Sequence, residues 1–186
     1  LRTQLIGARI MVDLRSEQEA RDVMVKLIGV EEHFLSPAAQ SAPKPDQSSN
    51  KSGIDARVGQ AIGGGLAQYS ADEQLAESVD KRITFLDQHG MQMQVLSDDG
   101  LENTPAKIAV PLAQQMNAQL ADIVAAHPTR FAGFAALPLQ DVDASVKELH
   151  RAAKKGLHGT MIHGRVGGKW LDDPVFKPLW QAAAAL

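Results

Sequence analysis

The sequence predicts an α/β protein built on a parallel sheet, and three observations carry that prediction. Four short aliphatic or β-branched runs, "VKLIGVEEHF", "MQMQVLS", "FAGFAALPL" and "GTMIHG", recur along the chain. Segments with helical periodicity, about ten to twenty residues long, separate or follow them, which is the alternation that parallel strands joined by helical crossovers require. The first run is apolar on both alternating faces, as in a strand covered on both sides.

The elements follow in order. Residues 1–23 are expected to be a charged leader of unknown role, in which Ser16 to Arg21 has the pattern of a short helix, and residues 24–186 the N-terminal portion of a single domain. The first strand ends in Glu31, Glu32 and His33. Residues 36–70, rich in Ser, Pro, Gly and Gln, predict a long loop, and loops of such length in a compact domain are functional or mobile. Leu75, Val79, Ile83 and Leu86 recur at three- and four-residue spacings and predict a helix closed by Gly90. "MQMQVLS" is the second strand. "TPAKIAVPLAQQMNAQLADIVAAHPTRF" predicts a longer helix, interrupted or started at Pro111 and stopped before Pro128. "FAGFAALPL" is the third strand. "DVDASVKELHRAAKKG" is a helix with Asp141 or Asp143 near its start, and Lys154, Lys155 and Gly156 at its end. "GTMIHG" is the fourth strand, and "DDPVFKPLWQAAAAL" opens a fourth helix capped by Asp172 or Asp173 with Pro174 in its first turn.

Composition narrows the function classes. Of 186 residues, 44% are hydrophobic and 22% charged, which suits a soluble globular core. The formal charge of -3 and the scattered Lys and Arg residues exclude a broad basic face, so no nucleic acid is expected as a partner. No window has eighteen uninterrupted apolar residues and the N-terminus lacks a signal-peptide pattern, so a cytoplasmic protein without a membrane partner is expected. With no cysteine, metal ligands can only be His, Asp or Glu.

Two parallel architectures compete. A doubly wound nucleotide-binding sheet places a Gly-rich turn after its first strand, but the turn here is "EEHFLSP", and the cluster Gly63 to Gly65 follows no strand. In a (β/α)8 barrel the active site forms where strands end, which puts Glu31 and His33 at the functional rim. Such a barrel takes about 250 residues, and about four strand–helix units are present. The expectation is therefore the first half, about four βα units, of a (β/α)8 TIM barrel. The start on Leu1 and the end at Leu186 inside a run of helix formers predict that the chain is truncated.

Residues two apart on a strand share a face, so Glu31 and His33 point together and Glu32 points away. A carboxylate and an imidazole so placed suit a divalent cation. The bare Glu-x-His spacing is also what a solvated strand end produces by chance, and it is the position after a hydrophobic strand that favours a metal. His163 and Ser97 stand at the ends of the fourth and second strands and are candidate substrate contacts. A rim side chain bonded to neighbouring backbone is the alternative for both. His89, His127, His150 and His158 fit capping, surface or barrel-bottom positions. Trp170, Trp180 and Phe34 fit packing, with pocket lining as an alternative for Phe34.

"KLIGVEEHF", "RITFLDQHGMQMQVLS", "HPTRFAGFAALPLQDVDASVKELHRAAKKGLHGTMIHG" and "WLDDPVFKPLWQAAAAL" together resemble the amidohydrolase-related family, over about residues 25–186. "EEHF" is more similar to the γ-resorcylate and 2,3-dihydroxybenzoate decarboxylases than to members opening with an H-x-H pair. The resemblance implies a non-oxidative decarboxylase of a hydroxylated aromatic carboxylic acid, with Glu31 and His33 as first-strand metal ligands. It further implies a zinc ion first, or manganese or magnesium, a small aromatic carboxylate as substrate, and a homo-oligomer when the barrel is complete. Its remaining ligands and its catalytic groups, among them an aspartate that protonates the ring, belong to the fifth and eighth strands and so are expected beyond Leu186. The alternatives are a metal-dependent amidohydrolase or lactonase on the same barrel, and a non-catalytic fragment or assembly partner.

Overall fold

The computed structural model describes residues 26–42, 76–98, 101, 104–162 and 164–186, with the backbone alone at Glu31. The leader, His163 and most of the 36–70 loop therefore lie outside the described residues. Among those described, β1 (Ile28–His33), β2 (Met93–Ser97), β3 (Phe131–Ala135) and β4 (Gly159–Thr160) form one sheet in that order, every neighbouring pair parallel. The sheet curls into half a barrel.

Three helices connect or cover these strands: α2 (Val79–Gln88), α3 (Ala106–Ala126) and α4 (Val142–Lys154), preceded by a single turn, α1 (Pro37–Gln40). That turn occupies the start of the expected long loop. Ser36 caps it by accepting from the Ala39 amide. After β4 a hairpin of β5 (Arg165–Val166) and β6 (Lys169–Trp170) leads through a 3-10 turn, Pro174–Phe176, into α5 (Lys177–Ala184).

The two faces of the sheet differ. Gln94 and Leu96 of β2 share a face with their register partners Phe131 and Gly133 of β3, and all four are buried. A Cβ on Gly133 would stand 2.7 Å from Leu157 and 3.1 Å from Leu120, so this face lies under the helices. Leu86, Leu96, Leu120, Phe131, Leu149 and Phe176 fill the layer between. The opposite face carries Val95, Ala132 and Phe134, each half-buried, and among the described residues no helix lies over it.

Local chemistry explains the element ends. Ser78 begins α2, and Gly90, at φ +63°, follows its C-cap His89, a conformation that L side chains avoid. Asp141 begins α4 by accepting from the Ala144 amide at 2.9 Å. The expected break at Pro111 does not occur: α3 runs through it. Pro111 is exposed, and Ala109, Ala113, Met116 and Leu120 bury one continuous stripe on either side of it, so packing outweighs the missing amide. The fourth strand is shorter than expected. Its pairing ends at Thr160, whose hydroxyl donates to the carbonyl of Ala135, the last residue of β3. Trp170 is 61% exposed and is not the packing residue expected; the Arg165 guanidinium lies 4.9 Å from its ring centroid.

Candidate functional site

The C-terminal ends of β1 and β2 form the candidate site. His33 is the register partner of Ser97, which in turn pairs with Phe134 on the uncovered face, so these three side chains share that face. Glu32 is the partner of Leu96 and lies on the helix side, where its Oε2 accepts from Gln94 Nε2 at 3.0 Å. The expected division between His33 and Glu32 is therefore present.

The strand is not regular, however. Between Gly29 and Glu32, β1 advances three residues while β2 advances only from Gln94 to Leu96. This bulge places Gly29 and Glu32, three apart, on one face: a Cβ on Gly29 would meet Glu32 Oε1 at 2.3 Å. Glu31 sits within the irregular stretch, so simple alternation does not fix its direction.

Ser97 is 1% exposed, and its hydroxyl has no hydrogen-bond partner among the described residues. A buried hydroxyl left so is uncommon in folded proteins and calls for a partner. Asp98, directly after β2, is equally buried, and its Oδ2 accepts from the Ser36 amide at 3.2 Å. From the helix side, Arg82 of α2 donates through Nη2 to the His33 carbonyl at 2.9 Å, and its guanidinium lies 5.6 Å from the Phe34 ring centroid. Burial lowers the Arg82 pKa, opposed by the carboxylates of Glu32 and Glu77. Phe34 is buried in the main core, as packing predicts.

These donors fit part of a metal site. An imidazole at a strand end suits a divalent ion, and the buried hydroxyl beside it has no partner among the described residues. Among the described residues no three His, Cys, Asp or Glu side chains converge on one point, so the described donors do not make a full coordination sphere. Sequence reasoning missed Arg82 and Asp98. The signal for Arg82 was its position three after Val79 and four before Leu86, on the buried stripe of the helix. For Asp98 it was the place just beyond a strand end.

The remaining expectations separate. His163 lies outside the described residues. His89 stacks on Phe85 with ring centroids 4.1 Å apart, and its Nδ1 is 2.9 Å from the Phe85 carbonyl, a helix-end role. His127 ends α3 and meets the edge of Phe131, and His158 is exposed at the start of β4, away from the strand ends that form the site.

Behind β3 a second polar group is assembled inside the protein. Asn117 Nδ2 donates to the Ala136 carbonyl at 2.9 Å and to Glu148 Oε1 at 2.6 Å, while its Oδ1 accepts from the Ala136 amide at 2.8 Å. Arg151 donates to both oxygens of Glu148 and to the Gln114 carbonyl, and the hydrogen bond to Glu148 raises the Arg151 pKa. The backbone leaving β3 is thereby tied to α3 and α4.

Comparison with known proteins agrees with the parallel half-barrel. The amidohydrolase family profile matches residues 33–186. The γ-resorcylate decarboxylase of Polaromonas sp. (strain JS666) is 33% identical over 126 residues, which are 60% of this chain and 37% of that protein. The crystal structure of a 2,6-dihydroxybenzoate decarboxylase from Rhizobium superposes with a TM-score of 0.63 at 28% identity, covering 87% of this chain and 47% of that one. A dihydroxybenzoic acid decarboxylase from Polaromonas sp. JS666, solved with bound manganese and the inhibitor 2-nitroresorcinol, gives 0.62 at 26% identity, over 87% and 47% of the two chains. The chain thus spans about a third to a half of the length of these relatives. The ion in the Polaromonas structure is manganese, so the order that put zinc first has no support.

Proposed function

Because this chain belongs to the amidohydrolase family, we propose that it supplies the first four strands of a metal-dependent, non-oxidative decarboxylase acting on a hydroxylated aromatic carboxylic acid. The observation that carries the reading is His33 at the end of β1, beside the buried Ser97 hydroxyl that has no partner among the described residues. The named activities of the similar proteins support the reaction, and the ion bound in one of them supports manganese.

His33 and Glu31 would hold the metal, which supplies Lewis acidity and a template for a carboxylate with an ortho-hydroxyl. Ser97 would offer its hydroxyl to a substrate oxygen, and His163 would stand at the neighbouring strand end. Phe134 gives the uncovered face an apolar wall suited to an aromatic ring. Ligands and proton donors from further strands complete the site in this reading, and the domain runs from residue 24 onward.

The test uses the full-length protein that carries this chain, loaded with manganese or zinc and offered a panel of hydroxybenzoates and of lactones. Release of carbon dioxide that requires the metal and disappears in His33→Ala is the expected result. Lactone or amide hydrolysis without decarboxylation would establish a hydrolase on the same barrel instead.

A further inference from the structure

Arg82 joins the strand that carries His33 to the helix behind it. It lies in the first half of α2, is 8% exposed, and donates through Nη2 to the carbonyl of His33 at 2.9 Å. On the other side of the same peptide unit, the Phe34 amide donates to the Ser97 carbonyl at 2.8 Å. A trans peptide points its C=O and N–H in opposite directions. The His33–Phe34 peptide is therefore gripped at both ends, by β2 through its amide and by α2 through its carbonyl. The Arg82 guanidinium also lies over the Phe34 ring, 5.6 Å from its centroid, which fixes the residue that follows.

This arrangement exceeds what helix stability asks of an arginine. An exposed arginine pairs with nearby carboxylates without the penalty of burying a guanidinium. Arg82 is buried, with the Glu32 and Glu77 carboxylates acting on it and one donor directed at the backbone of a residue at a strand end. Its placement is also specific, because the planar fork can face a carbonyl and an aromatic ring at once, which a lysine ammonium does less well.

We propose that Arg82 is a positioning residue of the metal centre: by fixing the His33–Phe34 peptide it sets the direction in which the His33 imidazole is presented. The inference rests on the reading of His33 as a metal ligand. Groups one step removed from a metal orient its ligands, and their loss weakens metal affinity by about 10–100-fold.

The experiment compares wild type, Arg82→Met, Arg82→Lys and His33→Ala in the full-length protein. It follows amide exchange at Phe34, with the Leu96 amide as reference, and manganese binding by electron paramagnetic resonance. Arg82→Met is expected to speed exchange at Phe34 by about tenfold or more relative to Leu96 and to weaken manganese binding by about 10–100-fold. Arg82→Lys should recover part of both. If Arg82→Met does not fold, Arg82→Lys carries the test, and a weakening of manganese binding in that folded variant is the expected result. Wild-type exchange at Phe34, or wild-type manganese affinity in a folded variant, overturns the proposal, since a merely structural arginine would lower stability and leave the affinity of the folded protein unchanged. A wild-type protein that binds no manganese, and is indistinguishable from His33→Ala, overturns the metal reading itself and this inference with it.

Discussion

Asn117 is wholly buried and makes three hydrogen bonds, two of them to both polar groups of Ala136. Replacing it with alanine takes the side-chain partner from the Ala136 amide and carbonyl and removes one hydrogen bond from Glu148 Oε1, which keeps that from Arg151. Asn117→Ala is therefore expected to destabilise the fold by about 2–4 kcal/mol, measured by urea unfolding. A loss below about 0.5 kcal/mol would mean that water satisfies those groups. Ser97 predicts the opposite. With no partner among the described residues to lose, Ser97→Ala should leave stability within about 0.5 kcal/mol of wild type while weakening substrate binding in the full-length protein. A large loss of stability with unchanged binding would remove Ser97 from the site.

At the scale of elements, local signals were legible and register was not. Asp141, Gly90 and Gly156 announced helix ends because capping depends on the residue's own conformation and nearest amides. Asp141→Ala should accordingly cost about 1 kcal/mol in thermal or chemical unfolding. Pro111 misled because its effect depends on what the rest of α3 buries, and β4 was overextended because pairing depends on a neighbour that alternation cannot see. The bulge in β1 is the most consequential case. Glu31, Glu32 and His33 read as a strict alternation, but the extra residue arises from pairing with β2, which no property of "GVEEH" encodes. Gly133 was equally silent, although its hydrogen is all that fits between Leu120 and Leu157. Gly133→Ala should destabilise by about 1–3 kcal/mol through overpacking.

For the whole molecule, the parallel half-barrel followed from sequence, because it rests on the repeated alternation of strands and helices. Arg82, the residue that organises the candidate site from outside the sheet, required three dimensions. No described helix is long and apolar enough to cross a membrane. On β1, an edge strand of the sheet, Ile28 is 48% exposed on the uncovered face and Val30, within the bulge, is 58% exposed. Apolar edges of this kind recruit further strands. The 186-residue chain in isolation is thus expected to associate as its concentration rises, and Val30→Lys to lower the mass seen by sedimentation. A monodisperse monomer at high concentration would contradict this.

The claim that β1 ends in a metal site is tested most directly by anomalous diffraction at the manganese edge from crystals of the full-length protein grown with manganese. The account predicts a peak within coordinating distance of the His33 imidazole and the Glu31 carboxylate, absent in His33→Ala. A peak elsewhere with His33 uninvolved, or a manganese-saturated active protein with no peak at β1, would contradict it.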